Sequence, residues 1–238
     1  MSAMISLSSE EARRLTHIFD QYITAKTSGA LSTLLNEPID HDIQIFCIAN
    51  IKNIRLDPDE IKMCAVRLNG KGDTHIEILY TIQQKHAKKI AAKLLCVNDV
   101  CEIDEMGASA IQEVANIMTG SFFNALSNGT GFRVDLSTPN YTNDELPSLI
   151  SNSVKDVINP IEHAVIADVE LIGKSTGTKL HMIIMQNPDD ARKLLTNHSS
   201  KSDSGNGATV NQDTQAYPVG GSNSELDALL DDILQEKQ

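Results

Sequence analysis

The chain has 238 residues, 41% of them hydrophobic, which is enough for one mid-sized domain with an apolar core. Its net charge of −12 argues against nucleic acid or an anionic membrane as a partner, since both favour a basic face. No apolar run approaches the roughly 18 residues of a membrane span, and the first residues lack a signal-peptide core, so we expect a cytoplasmic protein. Four cysteines occur singly and indicate buried thiols, with no disulfide frame or metal site. They are Cys47, Cys64, Cys96 and Cys101.

The first hundred residues predict a long amphipathic helix followed by strands and a shorter helix. Ser8 and Glu11 have the spacing of a capping box, and apolar residues then recur with helical periodicity. Three apolar, β-rich segments follow the break at Pro38. The predicted elements are a helix at 8–36, strands at 42–51, 61–70 and 74–82, and a helix at 83–95.

The next hundred residues repeat this order, which indicates an internal duplication. The predicted elements are a helix at 104–128, a strand at 132–137, a short helical segment at 145–158, strands at 163–172 and 179–186, and a helix at 188–197. Gly70-Lys71 and Gly173-Lys174 are predicted to fall in the two hairpin turns. Because the strands of each half need a partner to bury a face, we expect one α+β domain over 1–198 with pseudo-twofold symmetry, its halves being about 8–100 and 104–198.

Beyond this domain the composition predicts a tether that ends in a short helix. Residues 199–221 are polar and rich in Gly and Ser, which is typical of a flexible linker. Residues 222–238 place apolar side chains at helical spacing, with acids on the other side. Two interpretations stay open for this amphipathic peptide, namely binding to a partner protein and packing on the chain's own core. The apolar residues that would contact a partner are Leu226, Leu229, Leu230 and Ile233.

The second long helix carries the polar pattern that points most clearly to a site. At about 100° per residue, Ser109, Glu113 and Asn116 lie opposite the apolar stripe of this helix. Ile117 and Phe123 flank the polar residues where a purely solvated face would carry charges, so this face is predicted to contact another protein.

These residues resemble the signature of the CheC/CheX/FliY family of phosphatases, which dephosphorylate the chemotaxis response regulator CheY. The signature is Ser or Asp, three residues, Glu, two residues, Asn, then twenty-two residues and Pro. Ser109, Glu113, Asn116 and Pro139 meet it in full. The resemblance implies a CheC-like fold, with a central antiparallel sheet and the two long helices on one face.

In two-site members of the family the first long helix carries the same signature. A constant offset of 95 residues assigns its positions here to Arg14, Ile18, Gln21 and Gln44, none of which matches. We therefore predict a single active site, in the second half.

The resemblance also implies how the residues divide the work. An aspartyl phosphate on the partner is already activated, and the partner's own carboxylates hold Mg²⁺, so the phosphatase need only place a water in line. Asn116 is expected to orient this water and Glu113 to dock the partner through its active-site Lys, with Ser109 and Pro139 in supporting roles. The predicted partner is a phosphorylated CheY-like response regulator, a CheD-like protein being a second candidate. No cofactor or metal is expected in this chain.

A second class of function stays open at this point. The middle domain of the flagellar switch protein FliM shares the fold without the Glu and Asn signature. A non-enzymatic FliM/CheC-like scaffold that binds a response regulator is therefore the alternative to a phosphatase.

Overall fold

The computed structural model describes residues 7–48, 62–155 and 164–203. Its first long helix is continuous but has a π-helical turn in the middle. The capping box of Ser8 and Glu11 starts this helix, as predicted, and Asn36 in the left-handed conformation ends it. In chain order the elements are α1 Ser9–Tyr22, the π-helical turn Ile23–Thr27, α2 Ser28–Leu35, β1 Ile39–Ile48, β2 Met63–Gly72, β3 His75–Gln83 and α3 Gln84–Leu94.

The second half follows the same plan with a broken edge strand. Its elements are α4 Glu105–Thr130, β4 Val134–Leu136, β5 Asn140–Asp144, α5 Leu146–Lys155, β6 Ala164–Gly173, β7 Lys179–Gln186 and α6 Pro188–Asp203. The sequence did not predict β5, and α6 ends six residues beyond the predicted Asn197. No helix in the described ranges is both long and apolar enough to cross a membrane.

In the described part of the chain, the seven strands form one antiparallel sheet in the order β1-β6-β7-β3-β2-β4, with β5 also paired to β2. The outer strands are exchanged between the halves. β1 of the first half pairs with β6 of the second, and β4 and β5 of the second half pair with β2 of the first. Neither half therefore has a complete sheet of its own.

Successive side chains of a strand point to opposite faces of the sheet, and in this sheet both faces are apolar. Val66 and Val169 contribute to the larger core, which also contains α1, α2, α3, α4 and α6. Ala65 and Ile166 contribute to the smaller core under α5. The predicted α+β fold, with both long helices on one face of an antiparallel sheet, is confirmed.

The two predicted hairpins form, but one turn lies elsewhere than predicted. Gly70 and Lys71 belong to the paired part of β2, opposite Ile76 and His75, so the turn lies at Asp73 and Thr74. A Cβ on Gly70 would lie 2.5 Å from the Phe123 ring. Glycine is therefore required at this position because α4 packs closely on the strand.

Candidate active site

The candidate site lies on α4, whose two ends are fixed by local signals. Asp104 is the N-cap, and its side chain accepts a hydrogen bond of 2.8 Å from the backbone N–H of Gly107. At the other end Gly131 adopts a left-handed conformation, with φ of 80°, which a residue without Cβ takes without strain.

The rotation of α4 about its axis is set by its apolar stripe and by one buried hydrogen bond. The Tyr80 hydroxyl on β3 lies 3.0 Å from the Thr119 hydroxyl, and both side chains are buried. A buried polar pair of this kind must stay bonded, so it fixes which face of the helix meets the sheet. The buried stripe includes Ile111, Val114, Ala115, Met118, Phe122 and Leu126.

The opposite face of α4 presents the three helical signature residues to solvent. Ser109 and Glu113 are exposed and Asn116 is half-buried. The Ser109 hydroxyl donates to the Glu105 carbonyl at 2.8 Å, so it stabilises the helix itself. Within the described residues, the structure gives the side chains of Glu113 and Asn116 no hydrogen bond or ion pair. Both are therefore available to an external partner.

The fourth signature residue, Pro139, lies beside this face. It stands between β4 and β5, where the edge strand is interrupted. Its carbonyl accepts a hydrogen bond of 3.1 Å from the Gln112 side chain. Gln112 is next to Glu113 and one turn before Asn116, so the loop of residues 137–139 borders the candidate site. Sequence reasoning missed Gln112, because its partner lies 27 residues away along the chain.

The apolar surroundings of the site differ from the prediction. Phe123 is only 6% exposed, belongs to the main core and meets Phe122 edge-on with ring centroids 5.4 Å apart. Its prediction as a partner-binding residue is therefore wrong. Ile117 is half-buried on the Glu113 side of the helix and keeps that prediction. Met106, which the sequence analysis overlooked, is 65% exposed and lies two turns before Glu113 on the same side.

The burial pattern corrects the correspondence between the two long helices. Phe19 is the counterpart of Ala115, which gives an offset of 96 residues before the π-helical turn. That turn adds one residue, and the left-handed residues that end the helices, Asn36 and Gly131, differ by 95. The buried positions that match at an offset of 96 are Leu15, Ile18, Phe19 and Tyr22 in α1 and Ile111, Val114, Ala115 and Met118 in α4.

The assignment of Arg14, Ile18, Gln21 and Gln44 to the signature positions is therefore wrong. Ile18 is 4% exposed and faces the core, whereas Glu113 faces outward. The counterparts of Ser109, Glu113 and Asn116 are Arg13, His17 and Asp20.

Strand pairing gives the counterpart of Pro139. Gln44 lies opposite Asp168, the fifth residue of β6, and Asn140 lies opposite Arg67, the fifth residue of β2. Gln44 thus corresponds to Asn140, and Ile43 to Pro139. The signature is absent from the first half by this correspondence too.

In the first half, the residue that corresponds to Asn116 is Asp20, whose side chain has a partner within the protein. Asp20 Oδ1 lies 2.8 Å from Nε2 of His41, a residue of β1 that is buried more deeply than Asp20. The side chain at this position is thus engaged within the protein, whereas Asn116 is not.

The described residues offer no metal site, and they expose two of the thiols that were predicted to be buried. No group of three or more His, Cys, Asp or Glu side chains there could hold a metal ion. Cys64 is buried as predicted, but Cys96 and Cys101 are exposed, so the prediction of buried thiols is wrong for these two. The side chain of Cys47 is outside the described part. The predicted partner-binding residues Leu226, Leu229, Leu230 and Ile233 also lie outside the described residues.

Comparison with solved structures finds the same fold in three other proteins. FliY from Thermotoga maritima is 18% identical with a TM-score of 0.64, over 82% of this chain and 98% of that one. The FliM middle domain from H. pylori is 11% identical with a TM-score of 0.58, over 80% and 99%. A CheC-like superfamily protein from Shewanella sp. PV-4 is 17% identical with a TM-score of 0.50, over 71% and 96%.

Sequence comparison finds similarity to CheC-like proteins. A model of the CheC-like family matches residues 106–141, the segment that contains all four signature residues. The chain is 23% identical over 178 residues to the CheY-P phosphatase CheC of Bacillus subtilis (strain 168), which covers 71% of this chain and 85% of that protein. The resemblance to the CheC/CheX/FliY family is thereby confirmed.

Proposed function

We propose that this chain is a protein aspartyl-phosphate phosphatase that dephosphorylates a CheY-like response regulator. The observation that carries the proposal is the pair Glu113 and Asn116, which α4 presents outward with no partner among the described residues. The similarity to CheC, named as a CheY-P phosphatase, supports the same reaction class.

Asn116 acts on the attacking water in this proposal. Its amide oxygen accepts a hydrogen bond from the water, and its amide N–H donates to a phosphoryl oxygen. An amide does both without a negative charge that would repel the phosphate. Because the acyl phosphate is already activated, placing the water in line supplies the main part of the catalysis.

Glu113 serves docking. One turn from Asn116, its carboxylate pairs with the Lys of the regulator's phosphorylation site and fixes the orientation of the two proteins. Mg²⁺ belongs to the regulator in this proposal. Ile117 and the exposed Met106 add apolar contact on the same side of the helix.

The alternative is a scaffold that binds a regulator without hydrolysis. It is favoured by one observation, the FliM middle domain's TM-score of 0.58 over 80% of this chain. Fold likeness alone does not distinguish the two functions.

The test mixes the full chain with a phosphorylated CheY-like receiver domain and times phosphate loss. We expect wild type to accelerate the loss and Asn116→Ala to abolish that acceleration with unchanged affinity. The matched control is Asn124→Ala, an exposed amide two turns further along α4, which should act as wild type. Binding without acceleration by wild type would establish the scaffold, and activity of Asn116→Ala within about threefold of wild type would place the site elsewhere.

A further inference from the structure

Gln112 is the side chain that connects α4 to the loop beside the candidate site. It is half-buried, and its Nε2 donates to the Pro139 carbonyl at 3.1 Å. This contact joins the helix that carries Asn116 to the interruption between β4 and β5. Neither the family resemblance nor the signature includes this residue.

The sheet holds only the first residue of the loop 137–139, so the rest of the loop needs another contact to fix its position. The backbone N–H of Ser137 donates to the Asn69 carbonyl at 2.8 Å, and the Asn69 N–H donates to the Ser137 hydroxyl at 2.9 Å. Pro139 has no N–H to contribute to a ladder. Its carbonyl is held by Gln112, and strand pairing resumes only at Asn140.

The first half provides an internal comparison. Thr16 is the counterpart of Gln112 at the offset of 96, and its hydroxyl bonds back to the Ala12 carbonyl of its own helix at 3.0 Å. The edge strand β1 pairs with β6 without interruption from Ile39 to Ile48. The half that lacks the signature thus lacks both the interrupted loop and the side chain that holds it.

We infer that Gln112 is a positioning residue, which holds the Pro139 loop at a fixed distance from Asn116 through its amide donor. This inference rests on the proposed function. The loop then forms one wall of the space that receives the phosphoryl group, and Asn116 and its water stay aligned. The role depends on a hydrogen-bond donor at this position and not on side-chain size.

The test compares two substitutions of similar length. Gln112→Met keeps the volume and removes the donor, whereas Gln112→Lys keeps a donor. We expect Gln112→Met to lower kcat about fivefold to tenfold, the effect of losing one orienting hydrogen bond, with KM within about twofold of wild type. Gln112→Lys should recover at least half of the lost rate. Thr16→Met, the matched change in the first half, should leave kcat unchanged.

A second measurement does not depend on activity. Amide hydrogen exchange at Ser137 and Asn140, which flank the loop, should be faster in Gln112→Met than in wild type, while exchange within α4 stays the same. If exchange at these two amides is the same in Gln112→Met as in wild type, Gln112 does not hold the loop. A kcat of Gln112→Met equal to wild type, or a Lys variant no better than Met, would overturn the positioning role.

Asn116→Ala, assayed in parallel, separates this inference from the proposed function. If Asn116→Ala is inactive and Gln112→Met is fully active, only the role of Gln112 fails. If wild type itself does not accelerate phosphate loss, the proposed function fails and the catalytic role of Gln112 fails with it.

Discussion

Asp20 and His41 form a side-chain hydrogen bond of 2.8 Å at the place where the second half presents Asn116. The contact joins α1 to β1, so the first half uses this position to hold a helix on its edge strand. A carboxylate there would also repel a phosphoryl group. Both properties make the first half a poor site for the proposed reaction.

We expect Asp20→Ala to affect stability and leave phosphatase activity unchanged. Asp20 is 46% exposed, so the loss of its contact with His41 should cost at most about 1 kcal/mol of unfolding free energy. The melting temperature should fall by about 1–4 °C, which thermal unfolding measures. A substantial fall in kcat would show that the first half takes part in the reaction.

Glu113→Gln tests docking without a change of size. Loss of the charge should raise KM about threefold to tenfold and leave kcat within about twofold, because in the proposed function Glu113 pairs with a Lys of the partner, orients it and does not contact the water. The difference from wild type should shrink at high salt, since salt screens exposed charges. Glu145→Gln, an exposed acid away from α4, is the control for net charge. Equal KM values for Glu113→Gln and wild type would refute the docking role.

Phe123→Ala and Ile117→Ala should separate packing from binding. Phe123 is buried against Gly70 and Phe122, so its truncation should lower the unfolding free energy by about 3–5 kcal/mol. Ile117→Ala should lower it by less than about 1.5 kcal/mol and weaken binding of the phosphorylated regulator. Urea unfolding and a binding titration measure the two effects. If Phe123→Ala instead weakened binding and Ile117→Ala lowered the unfolding free energy more, Phe123 would be assigned to the surface that binds the regulator.

Because of Glu37, the unfolding free energy should fall at acidic pH. This buried carboxylate accepts hydrogen bonds from the N–H groups of Ser175 and Thr176 and from the Thr176 hydroxyl, with Lys93 3.7 Å away. Burial alone raises the pKa of Glu37, but these hydrogen bonds and the Lys93 charge outweigh it and hold the pKa below its usual range.

The stability from Glu37 is therefore fully present above its unfolded pKa, near 4.5, and is lost as pH falls through the lower folded value. Glu37→Gln should be less stable than wild type by about 1–3 kcal/mol at pH 7. This difference should narrow below about pH 4.5 in chemical unfolding experiments. If the stability difference between Glu37→Gln and wild type stays constant down to pH 3, ionisation of Glu37 does not contribute to stability.

Removal of residues 222–238 tests whether the predicted amphipathic peptide, which lies outside the described part of the chain, binds a partner. A tethered partner-binding helix raises effective concentration, so the deletion should raise KM and leave kcat nearly unchanged. Leu229→Asp should have the same effect because it interrupts the apolar stripe. A lower melting temperature with unchanged KM would indicate that the peptide packs on the core.

Periodicity predicted most of the fold, because apolar alternation is strong wherever both faces of the sheet are covered. It missed β5, whose Asn140–Asp144 stretch is polar and is a strand only because β2 offers it a free edge. It also missed the π-helical turn, since one inserted residue leaves no mark in composition. Because of that single residue, a constant offset of 95 assigned the counterpart of Glu113 to Ile18, whereas the burial pattern assigns it to His17.

The site was predictable to the level of the helix face. Ser109, Glu113 and Asn116 needed only a 100° period and the family signature. Phe123 was misplaced because its position on the helix permits contact with solvent or with β2, and only the absence of a side chain on Gly70 decides between them. Gln112 could not be found, because the carbonyl it holds belongs to a loop that sequence does not place in space.

The exchange of outer strands gives the half without the signature a structural role. β1 completes the sheet edge of the second half, from Ile39 opposite Gly173 to Ile48 opposite Ala164. Point substitutions in the first half leave this border strand in place, whereas deletion of the first half would remove it from the second half. The exchange also means that the amino-terminal strand finds its neighbour only after β6 has been synthesised. Such long-range pairing makes slow, late closure of the sheet the expected course of folding.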